Sequence, residues 1–346
     1  MVRERDNSEI STFLMCPRAH DYAYHRLLRP VHERLNLTAG TIGHAAAACI
    51  MQGQPWRELV DGWRDEMGKA LEVGSDGPDP SYGADELTQK HSDLVHGMDA
   101  YEGWWGRQQN IAVLGLEEPF AWKVPGTMTT MIGKVDAIIQ VSGQTWLHEL
   151  KTSARRWSAS ETAINRQFAS YTCAMRSRYP DLVGVRLVNV LLKTPSVTIC
   201  KPTKARPQGF PSSAQTVACD RDTYEQALKQ CNILSTDEDF AEVLARLPGR
   251  IDYHIQEDPS SFTTDALANF ITEDLRDVIR LMDRAKNERH RVRSPGLFSL
   301  NCQSCAYTRI CGAELHGWDV SDLGALGYTV GSDKFPYLRD DVKEAD

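Results

Sequence analysis

Asp136, Glu149 and Lys151 are residues whose types and spacing could do chemistry. They lie in GKVDAIIQVSGQTWLHELK, Gly133 to Lys151, which reads as a two-stranded hairpin. Val135, Ala137, Ile139 and Val141 alternate onto one face, and Ser142-Gly143 supplies a two-residue turn. With that loop Val141 opposes Gln144, Asp136 falls opposite Glu149, and Lys151 shares their face. Opposed carboxylates destabilise a hairpin unless positive charge lies between them. A divalent cation would supply it, because hard cations take oxygen ligands. Removing Asp136 should then leave the metal-free protein slightly more stable. A solvated Glu-x-Lys pair would give the same local sequence, so further support must come from elsewhere in the chain.

Cys302, Cys305 and Cys311 form a Cys-x2-Cys-x5-Cys cluster. An all-cysteine zinc site or a four-iron cluster needs a fourth thiolate. No second Cys-x2-Cys pair exists, and among the single cysteines Cys16, in Cys16-Pro17-Arg18, has the best context. His44 sits early in an Ala-rich helical stretch, where a boundary histidine and a ligand read alike. Gln167 and Tyr171 are i and i+4, hence neighbours on a helix surface.

The elements that must position these groups follow from pattern. Residues 8–28 read as helix interrupted at Pro17, residues 38–52 as helix, and residues 54–110 as mostly helical around a loop at 73–85. A strand is expected at 111–124, then the hairpin, then a helix headed by a Ser158-x-x-Glu161 capping box. Residues 184–200 hold a buried strand and a second one, and two helical stretches fill 221–247. IDYHIQEDPSSF, 251–262, reads as a connector. Residues 264–290 read as a long helix with Leu267, Phe270, Ile271, Leu275, Ile279 and Leu281 inward.

The chain has 346 residues, net charge −8 and nine cysteines. The charge argues against indiscriminate coating of nucleic acid but allows a local basic path, with candidate clusters at Lys151, Arg155 and Arg156, at Arg176 and Arg178, at Lys193, Lys201, Lys204 and Arg206, and at Arg284, Lys286, Arg289, Arg291 and Arg293. No apolar run approaches a membrane span, and MVRERDNSEI lacks the core of a signal peptide, so a cytoplasmic protein without disulfides is expected.

These motifs in this order resemble the RecB-like branch of the PD-(D/E)XK nucleases. The nearest likeness is to the iron–sulfur subset with the AddB C-terminal nuclease and the CRISPR-associated RecB-type exonucleases. Cys16-Pro17-Arg18, Gly40 to His44, Gly133 to Asp136, Glu149 to Lys151, Gln167 to Tyr171 and the three late cysteines carry it. The name-giving Pro-Asp is Val135-Asp136 here. The resemblance implies an α/β fold, a central mixed sheet flanked by helices with a restriction-endonuclease-like core. It implies a 4Fe-4S clasp of Cys16, Cys302, Cys305 and Cys311 joining the N- and C-terminal segments. Mg2+ or Mn2+ would be held by His44, Asp136, Glu149 and the Leu150 carbonyl. Lys151 would activate water, and Gln167 and Tyr171 would place DNA. The division expected is an N-terminal segment 1–30, a helical region 31–110, a nuclease core 111–220, a helical region 221–318 and an acidic tail 319–346. The activity implied is hydrolysis of single-stranded DNA or DNA ends, in repair, recombination or phage- or CRISPR-type processing. A helicase or recombination partner would supply the motor, since no G-x4-GK-[ST] sequence occurs. A non-catalytic scaffold subunit and a restriction-type endonuclease are the rival readings.

Overall fold

The computed structural model describes residues 3–32, 35–73, 83–158, 160–161, 165–214, 217–287, 292–293, 302 and 305–331. Residues 74–82 of the expected loop, Ile164, the long helix beyond residue 287 and the tail beyond residue 331 lie outside them.

A mixed sheet forms the centre. Its strands are β1 (Arg3–Arg5), β3 (Ile111–Lys123), β4 (Thr129–Val141), β5 (Gln144–Ser153), β6 (Leu182–Leu191) and β9 (Ile255–Ser261). The order is β1-β4-β5-β6-β9, and β3 covers the other edge of β4. β4 pairs antiparallel with β3 and β5, and β5 runs parallel to β6. Val135, Ala137 and Ile139 of β4 are buried as their alternation predicts, but so is Ile138. Both faces are therefore covered, and β-branched residues suit such a strand.

Helices flank the two faces. On one side lie α3 (Leu35–Met51), α4 (Arg57–Val73) and α5 (Ala84–Trp105), whose Leu94, Met98 and Trp63 share a core with Leu150, Val188 and Val190 of the sheet. On the other side α1 (Asn7–Met15), α6 (Arg166–Met175) and α11 (Arg276–Asn287) bury Ile10, Phe168 and Ile279 against Ile138, Leu147 and Leu187. Two short elements, α2 (Pro17–His20) and β2 (Leu28–Pro30), follow α1. Between β6 and β9 the chain builds a lobe of β7 (Ile199–Cys200), β8 (Phe210–Pro211), α7 (Arg221–Gln230) and α8 (Glu238–Arg246), then α9 (Arg250–His254). After β9 come α10 (Thr264–Asn269), a π-helical turn at Phe270–Leu275, and α11. The chain then runs to α12 (Thr308–Leu315) and β10 (Tyr328–Val330).

Two expectations need correction, and one strand lies where none was expected. Residues 255–261, read as a connector, are an antiparallel edge strand on β6. Their polar sequence hid it, and Pro259 is tolerated because the strand has one free edge. Arg3–Arg5, without apolar pattern, pairs parallel with β4. In α11 Leu281 is 51% exposed, while Val278, Ile279 and Met282 face inward. The inward stripe runs from Leu275 at i, i+3, i+4 and i+7, which leaves Leu281 off its face. The sheet also draws on β1 and β9, from outside residues 111–220.

The N- and C-terminal segments meet. β10 pairs antiparallel with β2, and Tyr22, Leu28, Ile310 and Tyr328 share a small core. Glu314 of α12 accepts from Tyr22 Oη and Arg26 Nη1, each at 2.6 Å, and from Arg18. Among the described residues no helix is long and apolar enough to cross a membrane.

Candidate active site

β4 and β5 pair from Val141↔Gln144 to Ala137↔His148, the register that the two-residue turn requires. Ser142 and Gly143 take φ of 50° and 82°, as a hairpin turn with two left-handed positions does. The ladder stops one step short of the expected Asp136–Glu149 pair. There the Leu150 N–H donates to Asp136 Oδ2 at 2.8 Å, so the carboxylate stands between the strands and they part. The Asp136 carboxylate therefore has partners of its own. Removing it would strand the Leu150 amide, which argues against the expectation that Asp136→Ala stabilises the protein.

His44 reaches this point because α3 lies close on β5. A Cβ on Gly43 would sit 2.9 Å from Thr152 Cγ2, so only glycine allows the approach. His44 Nδ1 is then 3.1 Å from Asp136 Oδ1. Burial opposes charge on both, but their mutual attraction wins: the His44 pKa is raised and the Asp136 pKa lowered, with Lys151 and the Leu150 amide helping to lower Asp136.

Glu149 is 3% exposed. Burial, then the charge on Asp136, pushes its pKa up to about 7, although Lys151 Nζ lies 2.5 Å from Oε1. Burial opposes the Lys151 charge, but Glu149 and Asp136 outweigh it and raise its pKa. Gln167 Nε2 donates to Glu149 Oε1 at 3.0 Å and lies 2.9 Å from Tyr171 Oη. Asn165 caps the helix that carries this pair, its Oδ1 accepting from the Gln167 N–H at 2.9 Å. The Ser158–Glu161 box also forms, through Ser158 N–H to Glu161 Oε2 at 2.8 Å, but it precedes α6 and does not head it. The six expected side chains, His44, Asp136, Glu149, Lys151, Gln167 and Tyr171, thus gather at one place.

The sequence reading missed what lies behind them. Tyr101 Oη and His148 Nε2 share a hydrogen bond of 2.8 Å, and burial lowers the His148 pKa to about 4, which keeps the ring neutral. Trp104 and Trp105 flank that ring. Phe120 meets Tyr171 edge-on at 5.3 Å, and Gly133 leaves room for it, since a Cβ there would lie 2.7 Å from Phe120 Cζ. Only their aromatic character marked these residues in the sequence. Of the expected basic path, Arg176 is turned to the Leu182 and Phe262 carbonyls, while Arg155 and Arg206 pair with Glu161 and Asp237.

Cys16, Cys302, Cys305 and Cys311 line one cavity of about 320 Å3 where the chain's two end segments meet. Arg293 Nε and the Tyr307 N–H each point at a sulfur, those of Cys311 and Cys305, at 3.4 Å. Burial raises the Cys305 thiol pKa, and the other three cysteines add to the effect.

Among the described residues no group of three or more His, Cys, Asp or Glu is arranged to hold a metal ion. The carboxylates are turned to protein partners, Asp136 to His44 and Leu150, Glu149 to Lys151 and Gln167. The donor chemistry still fits a divalent cation. Two carboxylates meet at a break in the ladder, and burial and the charge on Asp136 push the Glu149 pKa up to about 7 despite Lys151, so a further cation would be favoured there. Four thiols around one cavity, with N–H groups aimed at two sulfurs, likewise fit a sulfur-ligated group.

No curated protein matches the chain. The family model described as the PD-(D/E)XK nuclease superfamily matches residues 7–312 and so spans the whole site and all four clustered cysteines. Nucleases of that superfamily typically use Mg2+ or Mn2+. On that match over most of its length, the chain belongs to the PD-(D/E)XK nuclease superfamily.

Proposed function

We propose that the protein is a RecB-like DNA nuclease that acts on single strands or DNA ends, with a 4Fe-4S cluster tying its end segments together. The observation that carries the nuclease reading is the hydrogen-bonded chain from His44 through Asp136 to Leu150, beside that of Lys151, Glu149, Gln167 and Tyr171. Asp136, Glu149 and the Leu150 carbonyl, with His44, would hold Mg2+ or Mn2+. When bound, such an ion polarises the phosphate and lowers the pKa of water. Lys151, held beside Glu149 with its charge favoured, would orient the attacking water and face the charge that develops on phosphate. Gln167 fixes the Glu149 carboxylate and the Tyr171 hydroxyl together, so the helix that carries them sets the position of the strand at the carboxylates.

The cavity lined by four cysteines from the two end segments supports the cluster, and the motif order supports an end-directed enzyme. Cys16, Cys302, Cys305 and Cys311 would hold it, in a structural role away from the carboxylates.

Cleavage of end-labelled linear and circular DNA tests the reading. Linear DNA should be degraded with Mg2+ or Mn2+ and protected by chelator, while closed circles resist. Asp136→Ala, Glu149→Ala and Lys151→Ala should each abolish cleavage, and their effects should not add, because they act as a unit. Wild-type cleavage by Asp136→Ala refutes the assignment, and cutting of closed circles refutes the end preference.

A further inference from the structure

A cleft beside the carboxylates extends the nuclease reading, on which this inference rests. Both β1 and β5 lie on one edge of β4, pairing with Thr129–Met131 and with Ala137–Val141. Residues 132–136 of that edge have no strand partner among the described residues. The gap opens as a cleft of about 470 Å3 between β4 and the first turns of α1. Lys134 stands on its β4 wall, two residues from Asp136 and on the same side of the strand, about 7 Å along it. Ser8, Ser11 and Thr12 line the facing wall from one side of α1, at i, i+3 and i+4. Asn7 Nδ2, on that wall too, is shielded from solvent and has no hydrogen-bond partner among the described residues. Gln167 and Tyr171 close the inner end and connect it to Glu149.

We propose that this cleft seats the sugar–phosphate backbone of a single DNA strand next to the bond to be cut, with Lys134 on the neighbouring phosphate. Lysine, hydroxyl and amide donors are the groups that hold phosphate and sugar without reading bases. The volume is that of a pocket for one small molecule, so it admits a nucleotide-sized piece of one strand. Asp6, on the same wall, is committed to capping α1, its Oδ1 accepting from the Glu9 N–H at 2.6 Å. Lys134 Nζ rests 2.5 Å from Glu117 Oε2, with the side chains 35% and 39% exposed. Ion pairs this exposed are weak. Glu117 therefore holds the place of a phosphate oxygen and yields it when a strand enters.

Fluorescence anisotropy of the full chain with a labelled single-stranded oligonucleotide, in chelator so that nothing is cut, tests this. Lys134→Ala should weaken binding several-fold and reduce the salt dependence of log Kd by about 0.7, the share of one phosphate contact on a single strand. Glu117→Gln, which frees Lys134, should tighten binding. Lys134→Arg should bind as the wild type does. A closed duplex should respond less to either charge change. If Lys134→Ala and Glu117→Gln both bind like the wild type across salt, the cleft is not the seat, even where Asp136→Ala is inactive and the nuclease reading stands. Equal weakening on single strand and closed duplex overturns the single-strand assignment. Full cleavage by Asp136→Ala removes the nuclease reading and this inference with it.

Discussion

Gly43→Ala places a methyl group where α3 and β5 leave no room. The new Cβ would lie 2.9 Å from Thr152 Cγ2 and 3.4 Å from Leu94 Cδ1. Carbon pairs rest at about 3.5–4.0 Å, so α3 must withdraw by roughly 0.6 Å or more. Overpacking of this kind costs about 1–3 kcal/mol. Alanine regains about 1 kcal/mol of helix propensity over glycine. The net loss of stability is then about 0–2 kcal/mol, and melting should shift only a few degrees. Activity should suffer more, because His44 is the next residue and its contact with Asp136 is 3.1 Å. Misplacement by about 1 Å can cost 100-fold in rate, so the expected loss is roughly 10- to 100-fold. Thr152→Ser deletes the clashing Cγ2 and keeps Oγ1. Combined with Gly43→Ala it should restore most of the activity and melt at least as high as the wild type. Gly40→Ala is the control, since its Cβ meets Thr152 Oγ1 at an ordinary 3.6 Å. DNA cleavage rates and melting curves for the four variants complete the cycle. Full activity in Gly43→Ala, or no rescue by Thr152→Ser, would refute the argument that glycine sets the position of His44.

Asp136→Ala should lower the melting temperature as well as abolish cleavage, because the buried Leu150 N–H loses its acceptor at a cost of about 1–3 kcal/mol; an unchanged or raised melting temperature contradicts this. Glu314 has its pKa held down to about 2, since its bonds to Tyr22, Arg18 and Arg26 outweigh the effect of burial. Its contribution is thus full above the ordinary glutamate range near 4.3 and fades as pH falls toward 2. Glu314→Gln should therefore be less stable than the wild type at neutral pH, with the gap closing between about pH 4.3 and 2; a gap independent of pH excludes the clasp role. Protein purified without air should be brown and carry about four irons per chain. Cys16→Ser should lose that iron while Cys49→Ser, on α3, keeps it; zinc in place of iron, or full iron in Cys16→Ser, rejects the cluster assignment.

Much of the site was legible because it depends on local rules. The register of β4 on β5 follows from the length of the Ser142-Gly143 loop and from alternation, both visible in the sequence. Gln167 and Tyr171 meet because i and i+4 meet on any helix. What escaped depends on distant partners. That the ladder ends at Ala137 is decided by the Asp136 carboxylate taking an amide, which no spacing announces. β9 was hidden because an edge strand needs little apolar pattern, and β1 because three residues, two of them arginine, show no period. The use of Glu314 by Arg18, Tyr22 and Arg26 spans nearly the whole chain, so neither partner looks unusual in its own neighbourhood.

The lobe between β6 and β9 has a core of its own. Cys219, Tyr224, Leu228, Phe240, Val243 and Leu247 pack on one another, joined by Val197 and Phe210 at the rim. Its ties to the rest include Tyr253 Oη to the Ala218 carbonyl. A lobe that buries its apolar surface internally can open at the cost of that surface alone, while the ladder from β3 to β9 stays closed. The lobe is therefore expected to unfold as a unit of its own, on terms different from those of the sheet. Amide hydrogens of α7 and α8 should exchange ahead of those in β4, β5 and β6, and the carboxylates at the break between β4 and β5 should outlast the loss of the lobe.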